Sequence, residues 1–303
     1  MGGISDDTLS TRARRLAMTL EPFAGQVYFS PECHAEYEAL GFSGSPKTTK
    51  SGVRLPDGAA YFTSRGSVMG QVAGHVVAAA FSVFNPDAAI PAVAFGWTLT
   101  DAATIEAART RGAIAQLVRI LGSDPAGVER ARDLLARANE PLRPEGRPLF
   151  AGMCSVGLPG DPVGDAWRLA DRLREFRGDA HTAAWTSAGF DAAEIGLVSE
   201  QWWGLAARTY VRTRAWTDDQ LDAAAERLRS RGVLDGDALT PAGREAREGV
   251  ETSTDRQMRP AIEMLGDDID ELIATVAEWG AAIRVAAGYL PSGPHELAAS
   301  ASR

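Results

Sequence analysis

Apolar side chains recur at three- and four-residue steps through most of the chain, which predicts a mainly α protein. The first such stretch, Thr8 to Leu20, is a basic amphipathic helix. A second helix opens at Ser30-Pro31, a capping residue followed by proline at the first helical position, and ends at Gly41. Segment 42–60 is rich in Gly, Ser, Pro, Lys and Thr and reads as a surface loop. Met69 to Phe84 is largely apolar and stops at Asn85-Pro86, and Ala88 to Gly96 is a further short apolar piece. Thr100 to Leu121 and Val128 to Asn139 are two helices joined at Gly122-Ser-Asp-Pro125. Prolines and glycines then crowd 140–162, which predicts a boundary there. A long helical pattern follows from Val163 to Gly189, with an interruption allowed at Gly178-Asp179, and Asp267 to Ala287 closes the chain before a loose tail from Leu290.

The segment between these last helices has the most specific pattern. Thr217, with Asp218 and Asp219 after it and Gln220 at the third position, forms a capping box. The helix runs to Gly232, and two short apolar pieces, Val233-Leu234 and Ala238-Leu239, flank Asp235-Gly236-Asp237, a hairpin signal. Thr240-Pro241 opens another helix. Helix, small hairpin, helix is the order of a recognition helix, wing and trailing helix. In Leu228-Arg-Ser-Arg-Gly232-Val-Leu and Leu239-Thr-Pro-Ala-Gly243-Arg the segment resembles the MarR class of winged-helix regulators.

Trp97-Thr-Leu-Thr-Asp with Arg109-Thr-Arg-Gly112 echoes Trp216-Thr-Asp-Asp with Arg229-Ser-Arg-Gly232, and Arg65-Gly66 precedes the first as Arg177-Gly178 precedes the second. The expected architecture is therefore a tandem, and possibly duplicated, pair of winged helix-turn-helix-like domains, with a β-hairpin wing only in the second. Residues 1–145 would form the first, 146–162 a linker, and 163–303 the second with its closing helices. Residues 62–121 and 174–240 should then superpose.

At 303 residues, 45% apolar and 23% charged, the chain has the composition of a soluble globular protein of two ordinary domains. No apolar run reaches the roughly 18 residues that span a membrane, and Cys33 and Cys154 have no CxxC partner. A cytoplasmic protein without a metal site is expected. The net charge of −9 provides no global attraction to nucleic acid. Locally, Trp216 to Asp237 holds six acids against three bases, with Asp218, Asp219, Asp222 and Glu226 on the helix half that would enter a groove and Asp235 and Asp237 on the wing. High-affinity DNA readout is not expected. Two basic clusters, Arg12, Arg14, Arg15 and Arg208, Arg212, Arg214, read as solvated helix faces.

No GxSxG, Walker A, HExxH or GxGxxG pattern names a reaction or a cofactor. The strongest site signal is the stripe Trp167, Ala170, Arg174, Arg177, His181, Ala184, Trp185, apolar at both ends and charged in the middle. Either Asp179 or Glu175 neutralises Arg177 internally, or Arg177 and His181 face a ligand. The run Leu173-Arg-Glu-Phe-Arg-Gly-Asp-Ala-His181, with Tyr28-Phe-Ser-Pro-Glu32 and Gly146-Arg-Pro-Leu-Phe150, resembles a family of actinobacterial winged-helix proteins without assigned function. The favoured reading is a small-molecule-binding protein on a winged-helix scaffold, its ligand held by Arg177, His181, Arg65, His75, Glu32, Phe84 and Trp185. If it is an enzyme, His181 is the general base. The alternatives are a MarR-like transcription regulator and a partner-binding or dimerisation module that uses the closing helices; a homodimer would form through the terminal helices.

Overall fold

Capping residues set most element boundaries in the computed structural model, which describes residues 4–293. In chain order the helices of the first half are α1 (Asp6–Gly25), α2 (Pro31–Ala39), α3 (Gly58–Gly66), α4 (Gly74–Phe81), α5 (Pro86–Leu99), α6 (Ala102–Leu121), α7 (Val128–Asn139) and α8 (Pro148–Ser155). The second half holds α9 (Pro162–Ser187), α10 (Ala192–Trp202), α11 (Asp218–Ser230), strands β1 (Leu234–Asp235) and β2 (Ala238–Leu239), α12 (Pro241–Gln257), α13 (Arg259–Leu265) and α14 (Ile269–Val285). Ser30, Asn85, Asp161 and Thr240 each accept a backbone N–H of the first turn, with proline at the helix start. The Thr217–Gln220 box is reciprocal, with amide bonds of 3.3 and 3.1 Å. β1 and β2 pair antiparallel, Leu234 with Leu239 and Asp235 with Ala238, across a turn in which Gly236 has φ +58°. The helix–hairpin–helix expected from the sequence is present.

Three apolar cores form, and α9 runs through two of them. The largest joins α1, α2, α6, α7, the first half of α9, α13 and α14. A second lies among α3, α4, α5 and α8. The third holds the end of α9, α10, α11, the hairpin and α12. The apolar faces of the two terminal helices are thus turned inward, with Phe23 of α1 against Trp279 of α14 at 5.2 Å between centroids. Arg12 and Arg15 also bond toward the C-terminal segment, at Asp267 and Asp270. Among the described residues no single helix is long and apolar enough to cross a membrane.

Three sequence expectations change. Segment 146–162 is not a linker: it contains α8, which buries Leu149, Phe150 and Met153, and its prolines at 148 and 162 start helices. α9 is not interrupted at Gly178-Asp179 and runs 26 residues. The echo does not mark a duplication. Arg65-Gly66 ends α3 and Gly112 lies inside the 20-residue α6, whereas Gly178 lies inside α9 and Gly232, at φ +71°, terminates α11. Trp97-Thr98 lies at the end of α5, inside a helix, whereas Trp216-Thr217 lies ahead of α11.

Close helix crossings explain two glycines. A Cβ on Gly112 would lie 2.6 Å from the Cα of Cys33 in α2, and one on Gly96 would lie 1.9 Å from Thr63 Oγ1 in α3. Gly112→Ala and Gly96→Ala should each destabilise the chain by about 1–3 kcal/mol through overpacking. Gly178→Ala, whose nearest neighbour would be a Glu175 oxygen at 3.7 Å, should be neutral or gain up to about 1 kcal/mol from helix propensity. Urea unfolding of the three variants checks this order.

α8 is docked by a carboxyl from α9. The amide of Phe150 donates to Asp179 Oδ2 at 3.0 Å. Burial pushes the Asp179 carboxyl up to about 7, against the opposing pull of that amide. Because the folded chain holds this proton more tightly than the unfolded chain, stability falls as pH rises from about 4 to about 7 and is level above. Asp179→Asn, which keeps an acceptor for Phe150, should therefore gain on the parent across that window, on the order of 1–3 kcal/mol by pH 8. Paired denaturation curves at pH 4.5 and 8 measure it; a gain that does not change with pH contradicts it.

Candidate functional site

Ion pairs along the middle of α9 position the side chains of the site. Arg174, on the turn facing α1, reaches Glu21 Oε2 at 3.0 Å. Glu175 accepts both arms of Arg65 from α3, at 2.9 and 2.6 Å. One turn on, Arg177 lies 2.5 Å from Glu251 and 3.0 Å from Asp255, both on α12. Arg247 reaches the other Glu251 oxygen at 2.9 Å and Ser199 of α10 at 3.0 Å, and Arg14 of α1 holds Asp255 at 2.7 Å. Burial alone would raise these carboxyls. Arg65 and Arg174 instead hold Glu175 down at about 2, and Arg177, Arg247 and His181 hold Glu251 well below the carboxylate range.

A cavity of about 240 Å³ opens on this network, where α9 meets α1, α3, the end of α4, α10 and α12. Tyr61, Phe81 and Phe84 form its aromatic wall, with Phe81 and Phe84 6.4 Å apart between centroids. Trp203, Tyr210 and Arg214 line the part contributed by the residues between α10 and α11. His181 lines it from α9, and its Nδ1 lies 3.2 Å from Thr254 Oγ1. The Thr254 hydroxyl proton is committed to the Val250 carbonyl at 2.8 Å, so Nδ1–H donates to Thr254 and the second ring proton is gained or lost at Nε2. Ser82, which lines the cavity, has φ +31°, and Ala215, next in the chain after the lining residue Arg214, has φ +63°. Each costs on the order of 1–3 kcal/mol. Ser82 is held by a 3.0 Å bond with Thr182, and Ala215 by its carbonyl, which accepts from Asn85 Nδ2 at 3.0 Å.

Of the residues singled out in the sequence, Arg65, Phe84, Arg177 and His181 come together on this cavity. The other three do not. His75 is exposed, because Gly74, Val77, Ala78 and Phe81 form the buried stripe of α4 and His75 falls off it. Glu32 is half-buried and paired with Arg119 of α6. Trp185 is buried in the core formed by the end of α9, α10, α11, the hairpin and α12. The expected partners of Arg177, Asp179 and Glu175, are replaced by Glu251 and Asp255. Their spacing with Arg247 at i, i+4 and i+8 was the available signal, a charged stripe on α12 complementary to that on α9. Arg214 is likewise not on a solvated face: it stacks on Tyr210 and Phe84, with its guanidinium carbon 4.4 and 4.9 Å from the ring centroids.

The α11–hairpin–α12 segment has its own charge pattern. Asp218, Asp219, Asp222 and Glu226 of α11 and Asp235 and Asp237 of the hairpin are exposed. The neighbouring arginines are spent on acids: Arg208 on Asp222, Arg212 on Asp218 at 2.6 Å, Arg227 on Glu194 at 2.9 Å, Arg229 on Asp237 at 3.3 Å and Arg231 on Glu194 at 2.9 Å.

No curated protein and no solved structure matches the chain. A helix-turn-helix family matches residues 13–291, nearly the whole length, and the chain belongs to that helix-turn-helix family.

Proposed function

We propose that the chain binds a small molecule in the cavity beside α9, on a helix-turn-helix scaffold that does not read DNA at high affinity. One observation carries the reading: a cavity of about 240 Å³ on which aromatic walls, ion-paired arginines and the half-buried imidazole of His181 converge. That combination gives a ligand apolar contact and a few fixed polar groups. If the bound molecule is also transformed, His181 Nε2 is the group suited to take a proton near neutrality. The α11 and hairpin surface supports the negative half of the reading. A phosphate approaching it meets exposed carboxylates, and its arginines would first have to leave their acid partners.

A second reading, a MarR-like DNA-binding regulator, is favoured by the α11–hairpin–α12 order and by membership of a helix-turn-helix family. Two measurements on the full chain decide between them. In a thermal-shift screen of small molecules, compounds that stabilise the parent should not stabilise Thr182→Trp, which fills the cavity from α9. In anisotropy titrations with duplex DNA at about 150 mM salt, affinity should be about 10⁻⁴ to 10⁻⁶ M or weaker and indifferent to sequence. Reversing Asp218, Asp219, Asp235 and Asp237 to Lys should strengthen that binding and steepen its salt dependence. A sequence-specific nanomolar complex, or hits that stabilise Thr182→Trp as they do the parent, would overturn the proposal.

A further inference from the structure

Five arginines line the cavity: Arg65, Arg174, Arg177, Arg214 and Arg247. Four of them are ion-paired, through Glu175, Glu21, Glu251 and Asp255. Arg214 has no carboxylate partner among the described residues. Its guanidinium donates to Tyr210 Oη at 2.5 Å and to Thr213 Oγ1 at 3.1 Å, and its Nε is buried with no acceptor. A second buried donor without an acceptor belongs to the same group of residues: Trp203 Nε1, whose ring meets Tyr210 edge-on at 4.8 Å between centroids. Because Tyr210 Oη accepts from Arg214, its own proton is available to a third party.

These groups are fixed in place by contacts outside the cavity. The Arg214 carbonyl accepts from Asn85 N at 2.9 Å, and Trp216 Nε1 donates to the Val83 carbonyl at 3.0 Å. The turn between α4 and α5 and the segment leading into α11 therefore hold Arg214 jointly. Buried donors cost stability when unpaired, and a stacked, partly desolvated guanidinium attracts an anion more strongly than one in water. One uncompensated positive charge suits a monoanion better than a multiply charged phosphate. Tyr61, Phe81 and Phe84 supply the surface for a flat apolar body.

From this we infer that the ligand of the cavity is an aromatic or similarly apolar carboxylic acid. Its carboxylate is received by Arg214, Trp203 Nε1 and Tyr210 Oη, and its body lies against the phenylalanines. The inference rests on the small-molecule reading above and specifies its ligand class.

Calorimetric titration with a graded series of aryl- and indolyl-alkanoic acids, each beside its primary amide, tests it on the full-length protein. The best acid should bind at least ~10-fold more tightly than its amide, the range expected of hydrogen bonds to a charged group. In Arg214→Gln that preference should shrink to within about 2-fold, and in Trp203→Phe, which keeps a ring without the donor, the acid should weaken several-fold while the amide is unchanged. Arg214→Lys, which keeps the charge but loses the Nε donor, should retain part of the preference. It carries the test together with Trp203→Phe if the glutamine variant does not fold. Amides bound as tightly as acids, or a preference that survives these substitutions, would overturn the carboxylate assignment and leave the cavity reading standing. Binding by no member of either series would overturn the ligand class, and the thermal-shift comparison of the parent with Thr182→Trp decides the cavity reading separately.

Discussion

The buried charges in the middle of α9 constrain where four neighbouring helices, α1, α3, α6 and α12, can sit. Asp171, Arg174, Glu175 and Arg177 carry charge into a region that water does not solvate, and each needs an opposite charge brought to it. Arg109 of α6 meets Asp171 at 2.6 Å, Arg65 of α3 meets Glu175, Glu21 of α1 meets Arg174, and Glu251 and Asp255 of α12 meet Arg177. Apolar surfaces can slide past each other at small cost. A guanidinium against a carboxylate cannot, because removing one partner leaves a buried charge at a cost of about 3–5 kcal/mol. The ladder thus fixes the register of α1, α3, α6 and α12 around α9, and with it the walls of the cavity that opens where the ladder ends at His181.

The same chemistry at the surface has a different consequence. On α11 and the hairpin the ion pairs are exposed and individually weak. Their effect is on what the surface can attract. Asp222, Asp218, Asp237 and Glu194 take up the arginines that a groove-reading helix would offer to phosphates, and the remaining exposed acids face outward. The helix–hairpin–helix order is kept while its exposed face carries acid-paired arginines and outward-facing carboxylates.

Local signals were legible in the sequence, and long-range ones were not. The caps at Ser30, Thr217 and Thr240, the Asp-Gly turn and the α-rich class depend on residues within a few positions of each other. Prolines 148 and 162 signal a chain break as readily as a helix start; only packing of Leu149 and Phe150 against α9 and its neighbours decides between them. The Arg-Gly and Trp-Thr echo is a similarity of composition at places where the backbone does different things. For the site, the stripe on α9 identified Arg177 and His181 because polar residues interrupt an apolar face. Their partners lie about seventy residues away on α12, and Arg214 arrives from a short helical turn whose periodicity is too brief to read. His75 and Glu32 were misassigned because one sequence does not say which face of a short helix is covered.

Native mass spectrometry of the chain purified without added ligand tests the central claim most directly. The account predicts a noncovalent adduct of small-molecule mass that is lost on denaturation and absent from Thr182→Trp. A protein that carries no such adduct and instead retains duplex DNA of enriched sequence would contradict it.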